Sequence, residues 1–239
     1  MNSKNIYHIY YSPNGESKKI ALYFHDQIQG QLIDLTFTNE DEFTDGLFGD
    51  LLILTLPVYS QNIPFPLRKI LGRLHFKYTL INLTYGGFSY GNVLRHVQNL
   101  LKPSIVIGYS ITPVKHAYIA QTIPIDMSQY LPLINRVLSD EMHKVKVPKR
   151  LGFFPTLIEK QITDFNYRLI FDRSLCNNCG LCISNCPTSA IAYPISFPKS
   201  CLRCGRCVQV CPKQAITGQK SIFVKIYFHK KQKANVIIR

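Results

Sequence analysis

The stretch Cys176–Ile191, CNNCGLCISNCPTSAI, returns twenty-five residues later as Cys201–Ile216, CLRCGRCVQVCPKQAI. Each copy spaces its cysteines as C-x2-C-x2-C-x3-C and places a proline directly after the last one. Three thiolates two residues apart can hold three corners of an iron–sulfur cube from one tight loop, which leaves the fourth corner to a cysteine further along the chain. The spacing therefore predicts metal ligation by all eight cysteines, which are Cys176, Cys179, Cys182, Cys186, Cys201, Cys204, Cys207 and Cys211.

Two other uses of cysteine fit this pattern less well. A structural zinc site takes two C-x2-4-C pairs separated by a longer insert, so a third cysteine at the same short interval has no role in it. Structural disulfides are disfavoured in the reducing cytosol, and residues 1–175 are of ordinary globular composition without a single cysteine. Iron–sulfur binding is the interpretation that uses every cysteine.

The duplicated motif resembles that of the bacterial two-cluster ferredoxins, which it matches at every cysteine and at Pro187 and Pro212. In that family the fourth cysteine of each motif ligates the cluster of the other motif. The resemblance implies one [4Fe–4S] cluster held by Cys176, Cys179, Cys182 and Cys211, and a second held by Cys201, Cys204, Cys207 and Cys186. Gly180 and Gly205 would then let backbone amides approach the sulfur atoms.

The chain as a whole has the composition of a globular protein. With 239 residues, of which 46% are hydrophobic, it can fill one medium core and one small core. No run of the sequence approaches the roughly 18 apolar residues that a spanning helix needs, and the beginning, MNSKNIYHIYYSPNG, lacks the features of a secretory signal. We therefore expect a cytoplasmic protein without a membrane span.

Strand and helix patterns alternate over the first 145 residues. Short β-branched and apolar runs predict strands, and apolar residues at helical spacing predict the helices between them. The predicted strands are 5–11, 31–37, 51–57, 79–87 and 104–111, and the predicted helices are 17–29, 66–75, 93–101 and 127–145, the last loosened at Pro132. This alternation predicts an α/β fold with a five-stranded parallel sheet covered on both faces.

Three loops of this sheet are expected to form a ligand site, because ligands bind beyond the carboxyl ends of such strands where the strand order reverses. The loop after the first strand, YSPNGESKKIA at 11–21, precedes a helix whose free amides suit a phosphate. PVYSQNIPFP at 57–66 follows the third strand, and the glycine-rich TYGGFSYGN at 84–92 follows the fourth. Taken alone, the first loop is equally well explained as the capped start of a helix.

The three loops resemble the phosphate loop and the two isoalloxazine loops of flavodoxins, which bind flavin mononucleotide (FMN). Flavodoxins favour [S/T]-x-T-G-x-T in the first loop, where this chain has SPNGES at 12–17, with an amide in place of the middle threonine and a carboxylate beside the expected phosphate. The resemblance implies FMN binding by Ser12, Asn14, Gly15, Glu16, Ser17, Pro57, Val58, Tyr59, Thr84, Tyr85, Gly86, Gly87, Tyr90 and Gly91.

Tyr59 and Tyr90 are expected to stack on the flavin ring, because the chain has no tryptophan. Each is alternatively a loop tyrosine that packs against the edge of the sheet. Together with the cysteine motifs, the loops resemble the flavodoxin–ferredoxin fusion proteins over residues 4–216. The implied architecture is a flavodoxin-like domain at 1–146, a linker at 147–168, and a small α+β two-cluster ferredoxin domain at 169–239, with a basic tail that forms two short strands or frays.

The resemblance implies a cytosolic electron-transfer protein that relays electrons between two [4Fe–4S] clusters and an FMN, since a flavin accepts electron pairs and a cluster passes single electrons. Two other functions stay open on the sequence alone. An FMN-dependent reductase would use the clusters to supply electrons to a small substrate. A flavin-free chain would use the N-terminal fold as a docking scaffold for the ferredoxin domain.

The net charge of +14 is concentrated near the C-terminus, where residues 140–239 hold 17 Lys and Arg against 5 Asp and Glu. Residues 1–139 hold 11 against 9. Nucleic-acid binding is one explanation of such a surplus, but the charges are dispersed and no groove-reading motif accompanies them. We expect instead a basic docking face for a redox protein that presents an acidic face.

Overall fold

The computed structural model describes residues 4–38, 40–87, 89–115, 124–149, 163–222, 225–226 and 236–239. Its larger sheet contains β1 (Ile6–Tyr10), β2 (Gln31–Asp34), β3 (Leu47–Pro57), β4 (Leu74–Tyr85), β5 (Ile105–Pro113) and the final short strand β8 (Ile237–Ile238). The helices between these strands are α1 (Glu16–Gln27), α2 (Leu67–Leu71), α3 (Val93–Leu100) and α4 (Leu131–Leu138), with 3-10 turns at Glu40–Phe43 and Met127–Tyr130.

The first five strands are parallel and lie in the order β2-β1-β3-β4-β5. This is the order of the flavodoxin-like doubly wound fold, so the predicted α/β class and flavodoxin-like sheet are confirmed. Strands β3 and β4 are buried almost continuously in their second halves, as expected for strands that helices cover on both faces.

Two hydrophobic cores lie on opposite faces of the sheet. One contains Leu67, Ile70 and Leu71 of α2 and Val93, Leu94 and Val97 of α3. The other contains Ile20 and Phe24 of α1 and Leu133, Ile134 and Val137 of α4. The apolar residues that suggested helical spacing are therefore the residues that hold each helix against the sheet.

The predicted helix 127–145 is shorter in the structure. Pro132 stands in the first turn of α4, where its fixed φ and missing N–H start a helix rather than loosen one. Beyond Ser139 the chain is irregular, although the Val145 amide donates to the carbonyl of Val106 at 2.9 Å and Val147 is buried in the first core. The start of the predicted linker thus packs on the N-terminal domain, while residues 150–162 lie outside the described part of the chain.

The end of the chain was expected beside the ferredoxin domain, and this placement is wrong for its last residues. Strand β8 pairs antiparallel with β5, with Ile238 opposite Ser110 and Ile237 opposite Ile111. The amides of Tyr109 and Arg239 donate to each other's carbonyl oxygens at 2.9 and 3.1 Å. Without this pairing, the outer edge of β5 would expose unpaired backbone N–H and C=O groups. The two residues of β8 cover part of that edge.

The C-terminal domain is a two-stranded antiparallel sheet with two short helices. Strand β6 (Tyr167–Phe171) pairs with β7 (Ile216–Lys220), and the cysteine loops lie between them with α5 (Leu181–Ser184) and α6 (Arg206–Val210). Its small core joins Leu169, Ile191 and Ile216 to Cys201 and Cys207. None of the described helices is long and apolar enough to cross a membrane.

Candidate cofactor sites

The two cysteine loops have the same backbone conformation, as their duplicated sequence predicts. Each contains three left-handed residues at matching positions, and φ values in the two copies agree within a few degrees. They are Asn178 (57°), Gly180 (73°) and Ser189 (49°) in the first copy, and Arg203 (53°), Gly205 (77°) and Gln214 (51°) in the second. Gly180 and Gly205 both stand immediately before the short helix that carries the third cysteine.

Backbone amides reach the sulfur atoms at matching places in both loops. The first cysteine of each motif accepts from the amide two residues on, at 3.4 Å for both Asn178 N to Cys176 Sγ and Arg203 N to Cys201 Sγ. The fourth accepts from the amide four residues on, at 3.3 Å for Ala190 N to Cys186 and 3.2 Å for Ala215 N to Cys211. Loops that aim amides at sulfur stabilise thiolates rather than thiols.

The eight thiols form two groups, which we name site I and site II. Burial raises the pKa of Cys182, and the thiols of Cys211, Cys176 and Cys179 add to the increase, so these three lie near Cys182 and the four are named site I. Burial raises the pKa of Cys204 to about 12, with further contributions from Cys207, Cys201 and Cys186, which together form site II. Each group contains three cysteines of one motif and the fourth cysteine of the other, the division that the ferredoxin resemblance implies.

Sites I and II differ in their exposure to solvent. Cys179 of site I is exposed, whereas Cys201, Cys204 and Cys207 of site II are all buried. The four site II cysteines line a cavity with about 280 Å³ of empty space, part of it open to solvent, together with Leu202 and Arg206. Site I therefore faces water and site II faces protein.

The donor set at site II fits a cluster that carries acceptor sulfurs. Arg206 Nε, on the wall of the site II cavity, is a buried donor without a hydrogen-bond partner in the described part of the chain. Among the described residues, no three or more His, Cys, Asp or Glu side chains are arranged to hold a single metal ion. A cube of four irons uses one thiolate per iron, so its ligands are spaced more widely.

In the N-terminal domain, the first predicted loop leads into the N-terminus of α1, whose first amides are free. Gly15 precedes the helix with φ 85°, and the amides of Glu16 and Ser17 belong to the first turn, where no intrahelical acceptor exists. Ser12 Oγ accepts from the Lys18 amide at 2.9 Å. The amides of this turn and the dipole of a twelve-residue helix favour an anion beside Gly15.

Glu16 does not oppose that anion as its sequence position suggests. Its carboxylate forms an ion pair of 2.8 Å with Lys19 on the next turn of α1. Asn14 Oδ1, by contrast, is buried without a hydrogen-bond partner in the described part of the chain. A buried acceptor of this kind needs a donor such as a ligand hydroxyl.

The carboxyl edge of the sheet forms a cleft with about 660 Å³ of empty space, including the solvent at its mouth. The predicted flavin residues that line it are Ser12, Asn14, Glu16, Ser17, Pro57, Val58, Tyr59, Thr84, Tyr85 and Gly86. The three loops therefore converge on one cleft, as expected at the switch point between β1 and β3.

Four predicted flavin residues are not among the described residues that line the cleft: Gly15, Gly87, Tyr90 and Gly91. Tyr90 is buried and packs edge-to-face on Tyr85, with ring centroids 5.5 Å apart. In this arrangement Tyr85 is the ring beside the cleft and Tyr90 supports it from behind. Phe88, which belongs to the same loop, lies outside the described residues.

The cleft also has a wall that the sequence did not predict, contributed by the C-terminal domain. Thr163, Tyr167, Leu202 and Arg203 line it, as do Val114 and Lys115 beyond β5. Leu202 and Arg203 are the two residues between the site II cysteines Cys201 and Cys204. The site II loop is therefore part of the wall of the cleft.

Polar contacts hold this wall in place. The hydroxyls of Ser60, in the loop after β3, and Thr163 share a hydrogen bond between the two domains. Arg203 Nε donates to Asp164 at 2.9 Å, and its guanidinium also donates to the carbonyl of Phe197 at 3.3 Å. Leu202 packs against the first core of the N-terminal domain. The cleft, its wall and site II thus form one connected region.

The comparison with protein families identifies the C-terminal domain. Residues 169–192 and 194–217 each match the model of the 4Fe-4S binding domain. The two matches coincide with the two cysteine motifs, so the predicted iron–sulfur chemistry is confirmed. No curated protein matches the chain in a sequence comparison.

Comparison with solved structures finds flavodoxins over the N-terminal part. A flavodoxin from the domain Archaea is 12% identical, with a TM-score of 0.39, and the match covers 58% of this chain and 99% of that one. A short-chain flavodoxin associated with a non-canonical PDU bacterial microcompartment is 13% identical, with a TM-score of 0.42, over 57% and 97%. A flavoprotein in complex with FMN from Lactobacillus acidophilus NCFM is 18% identical, with a TM-score of 0.35, over 45% and 92%. The flavodoxin-like fold itself follows from the strand order of the sheet.

Proposed function

We propose that this fusion of a flavodoxin-like domain with a 4Fe-4S binding domain is an electron-transfer protein that relays electrons between two [4Fe–4S] clusters and an FMN. The observation that carries the proposal is the shared wall: Leu202 and Arg203 belong to the loop of site II and also line the cleft formed by the flavodoxin-like loops. A cofactor in the cleft would be separated from a cluster at site II by this loop alone.

The residues of the cleft suit the parts of FMN. The free amides in the first turn of α1 suit the phosphate, and Lys115 adds positive charge to the wall of the cleft. Asn14 Oδ1 offers a buried acceptor to a ribityl hydroxyl. Tyr59 and Tyr85 supply flat apolar surface for the ring.

When bound, FMN would supply the exchange between electron pairs and single electrons. The positions of sites I and II determine the order in which electrons would reach the flavin. Site I contains the exposed Cys179, while site II is buried beside the cleft. An external redox protein therefore exchanges electrons with site I, and site II connects site I to the flavin.

The surface at site I suits a protein partner. Leu175 and Leu181 flank the first cysteines of the motif and are 50% and 41% exposed. The surrounding C-terminal part of the chain carries the larger share of the net charge of +14. An exposed apolar patch in a chain with this excess of Lys and Arg favours a partner with an acidic face.

The first experiment is a cofactor count on protein purified anaerobically. The proposal predicts about eight iron, about eight acid-labile sulfide and about one FMN per chain. Eight iron with no flavin, even after FMN is added, would leave a ferredoxin on an empty flavodoxin-like scaffold and would contradict the relay.

The second experiment tests the route with two matched ligand variants. In Cys179→Ser the altered ligand belongs to the exposed site I, and in Cys204→Ser to site II. We expect both variants to retain FMN and to lose reduction of the flavin by a protein donor, whereas a small chemical reductant still reduces it. Undiminished flavin reduction by the protein donor in Cys204→Ser would exclude site II from the route.

A further inference from the structure

Tyr11 brings an unpaired hydroxyl from the N-terminal domain to site II. The residue follows β1 and is 1% exposed, and its hydroxyl has no hydrogen-bond partner in the described ranges. Tyr11 belongs to the core against which Leu202, the residue after Cys201, packs. Burial raises the pKa of Tyr11, and the thiols of Cys204 and Cys186 add to the increase. A buried tyrosine hydroxyl normally has a hydrogen-bond partner. A cluster at site II would provide sulfur atoms that accept this hydrogen bond.

Arg206 brings a second donor from the opposite side of the same site. It is the first residue of α6, and its guanidinium donates to Asn185 Oδ1 at 3.1 Å. Its Nε is buried without a partner in the described residues, and the side chain lines the site II cavity with the four site II cysteines. A buried guanidinium donor costs free energy unless an acceptor is present, and a cluster provides sulfur acceptors.

We infer that Tyr11 and Arg206 donate hydrogen bonds to the cluster at site II and hold its reduction potential above that of the cluster at site I. This inference rests on the proposed function in one respect only, namely that both sites hold clusters. It does not depend on FMN being bound.

The duplicated sequence supplies an internal comparison for Arg206. Residues twenty-five positions apart occupy matching places in the two loops, so Leu181 is the counterpart of Arg206 and Asn178 is the counterpart of Arg203. Leu181 has no charge and no donor and is 41% exposed. The second copy therefore places two guanidinium groups where the first copy places an apolar side chain and an amide.

Charge and hydrogen bonding decide the direction of the difference in potential. Reduction adds one negative charge to a cluster, and donors to its sulfurs and nearby cations stabilise that charge. Burial of site II acts in the opposite direction, because it removes water that would stabilise the charge. Donors that are already fixed around the site need no reorganisation when the electron arrives, so we expect the hydroxyl of Tyr11 and the charged donor Arg206 to outweigh the lost water.

The consequence is a preferred direction for electrons inside the protein. An electron that enters at the exposed site I moves to site II, which lies beside the cleft, and is held there until the flavin accepts it. The two clusters thus have different tasks although their motifs have the same spacing.

The test is a redox titration of the intact, cluster-loaded chain, followed by electron paramagnetic resonance of the two reduced clusters. In the wild-type chain we expect two midpoints, with site II the higher by at least a tenfold preference for the electron, or about 59 mV for a one-electron couple. Tyr11→Phe keeps the ring and removes the donor, and it should lower the site II midpoint alone. Arg206→Leu places at position 206 the residue found at the matching position of the first motif, and it should lower the site II midpoint by more than Tyr11→Phe does.

Three variants serve as controls. Tyr10→Phe removes a neighbouring hydroxyl that donates to Asp34 at 2.9 Å, and it should shift neither midpoint. Arg206→Lys keeps the charge and changes the donor, so its midpoint should lie between those of wild type and Arg206→Leu. Leu181→Arg is the reciprocal change and should raise the site I midpoint.

Two results would overturn the inference. With about eight iron per chain retained, unchanged midpoints in both Tyr11→Phe and Arg206→Leu would show that neither residue acts on the cluster. A site II midpoint below that of site I in the wild-type chain would reverse the proposed direction. A chain that binds no iron would instead contradict the proposed function, and the iron count reveals this before any titration.

Discussion

Ser17 Oγ lies 2.8 Å from Thr84 Oγ1, and both residues are buried at the carboxyl edge of the sheet. The contact joins the first turn of α1 to the end of β4. Ser17 was expected among the residues that bind FMN, and in the structure its hydroxyl also holds the first and third loops together.

This hydrogen bond gives Ser17 a structural role. We expect Ser17→Ala to lower the free energy of unfolding by about 1 to 3 kcal/mol, because it leaves the buried Thr84 hydroxyl without its partner. The double variant Ser17→Ala with Thr84→Val removes both polar groups and should recover part of the loss. Urea denaturation measures the stability, and FMN titration measures the affinity. A large loss of FMN affinity at unchanged stability would show that the hydroxyl binds the phosphate.

Gly15 is required for its backbone conformation. Its φ of 85° is left-handed, and a Cβ at this position would have no atom within 4 Å. Gly15→Ala should therefore lose about 1 to 2 kcal/mol of stability through backbone strain alone, and Gly15→Asn should lose less, since asparagine adopts this conformation more readily. Equal losses in the two variants, compared by thermal unfolding, would contradict the explanation.

Substitution of Gly91 should destabilise the protein more than substitution of Gly15. It also has a positive φ, and a Cβ there would lie 2.9 Å from Gln61 Cβ. Because Gly91→Ala adds a collision to the strain, it should cost more stability than Gly15→Ala. The same thermal unfolding experiment checks this order.

The fold class could be predicted from the sequence because it depends on local patterns of residues. The runs at 5–11 and 51–57 predict strands on their own, and the structure has strands at Ile6–Tyr10 and Leu47–Pro57. The eight cysteines indicate their chemistry by spacing. The wall of the cleft was not predictable in this way, because Leu202 and Arg203 reach it only when two domains dock. Pairing of Ile237 with Ile111 likewise depends on an open edge 126 residues away in sequence, and no local signal reports it.

One part of the missed site did leave a signal. Val114 and Lys115 follow β5, and β5 ends at the same edge of the sheet as β1, β3 and β4. The rule that ligands bind beyond the carboxyl ends of parallel strands predicts these two residues as well, once the loop after β5 is considered together with the loops after β1, β3 and β4. Tyr90, by contrast, packs on Tyr85 and is not among the residues that line the cleft. The sequence of a loop does not show whether its tyrosine lies beside a cleft or behind another ring.

His8 makes the N-terminal domain sensitive to acid. Burial lowers the pKa of His8 from 6.5 to about 4, the hydrogen bond to the carbonyl of Ile28 opposes this change, and His25 adds to it. The folded chain keeps His8 neutral while the unfolded chain protonates it below pH 6.5, so stability is lost as pH falls from 6.5 towards 4. Between pH 7 and 5.5 the loss from this group is about 1 kcal/mol.

The measurement is a comparison of wild type with His8→Gln, which cannot gain the proton. Urea denaturation at pH 7 and at pH 5.5 should show a smaller pH effect in the variant, by about 1 kcal/mol. An NMR titration that shows His8 protonating near pH 6.5 in the folded chain would contradict the prediction.

Electron exchange with an acidic redox protein should depend on salt. The excess of Lys and Arg over Asp and Glu attracts such a partner, and screening shortens the range of this attraction from about 30 Å at 0.01 M salt to about 3 Å at 1 M. We expect the second-order rate of reduction by an acidic ferredoxin to fall about tenfold or more over this range. An uncharged small reductant is the control and should show little change. A flat rate for the protein donor would remove the case for a basic docking face.

The most direct test of the relay is the rate of electron transfer from reduced clusters to FMN, followed by absorbance after rapid photoreduction at a series of protein concentrations. Since Leu202 and Arg203 place site II beside the cleft of the same chain, the account predicts a first-order rate that does not change on dilution. A rate that falls in proportion to protein concentration would show that electrons pass between molecules, and would contradict an internal relay.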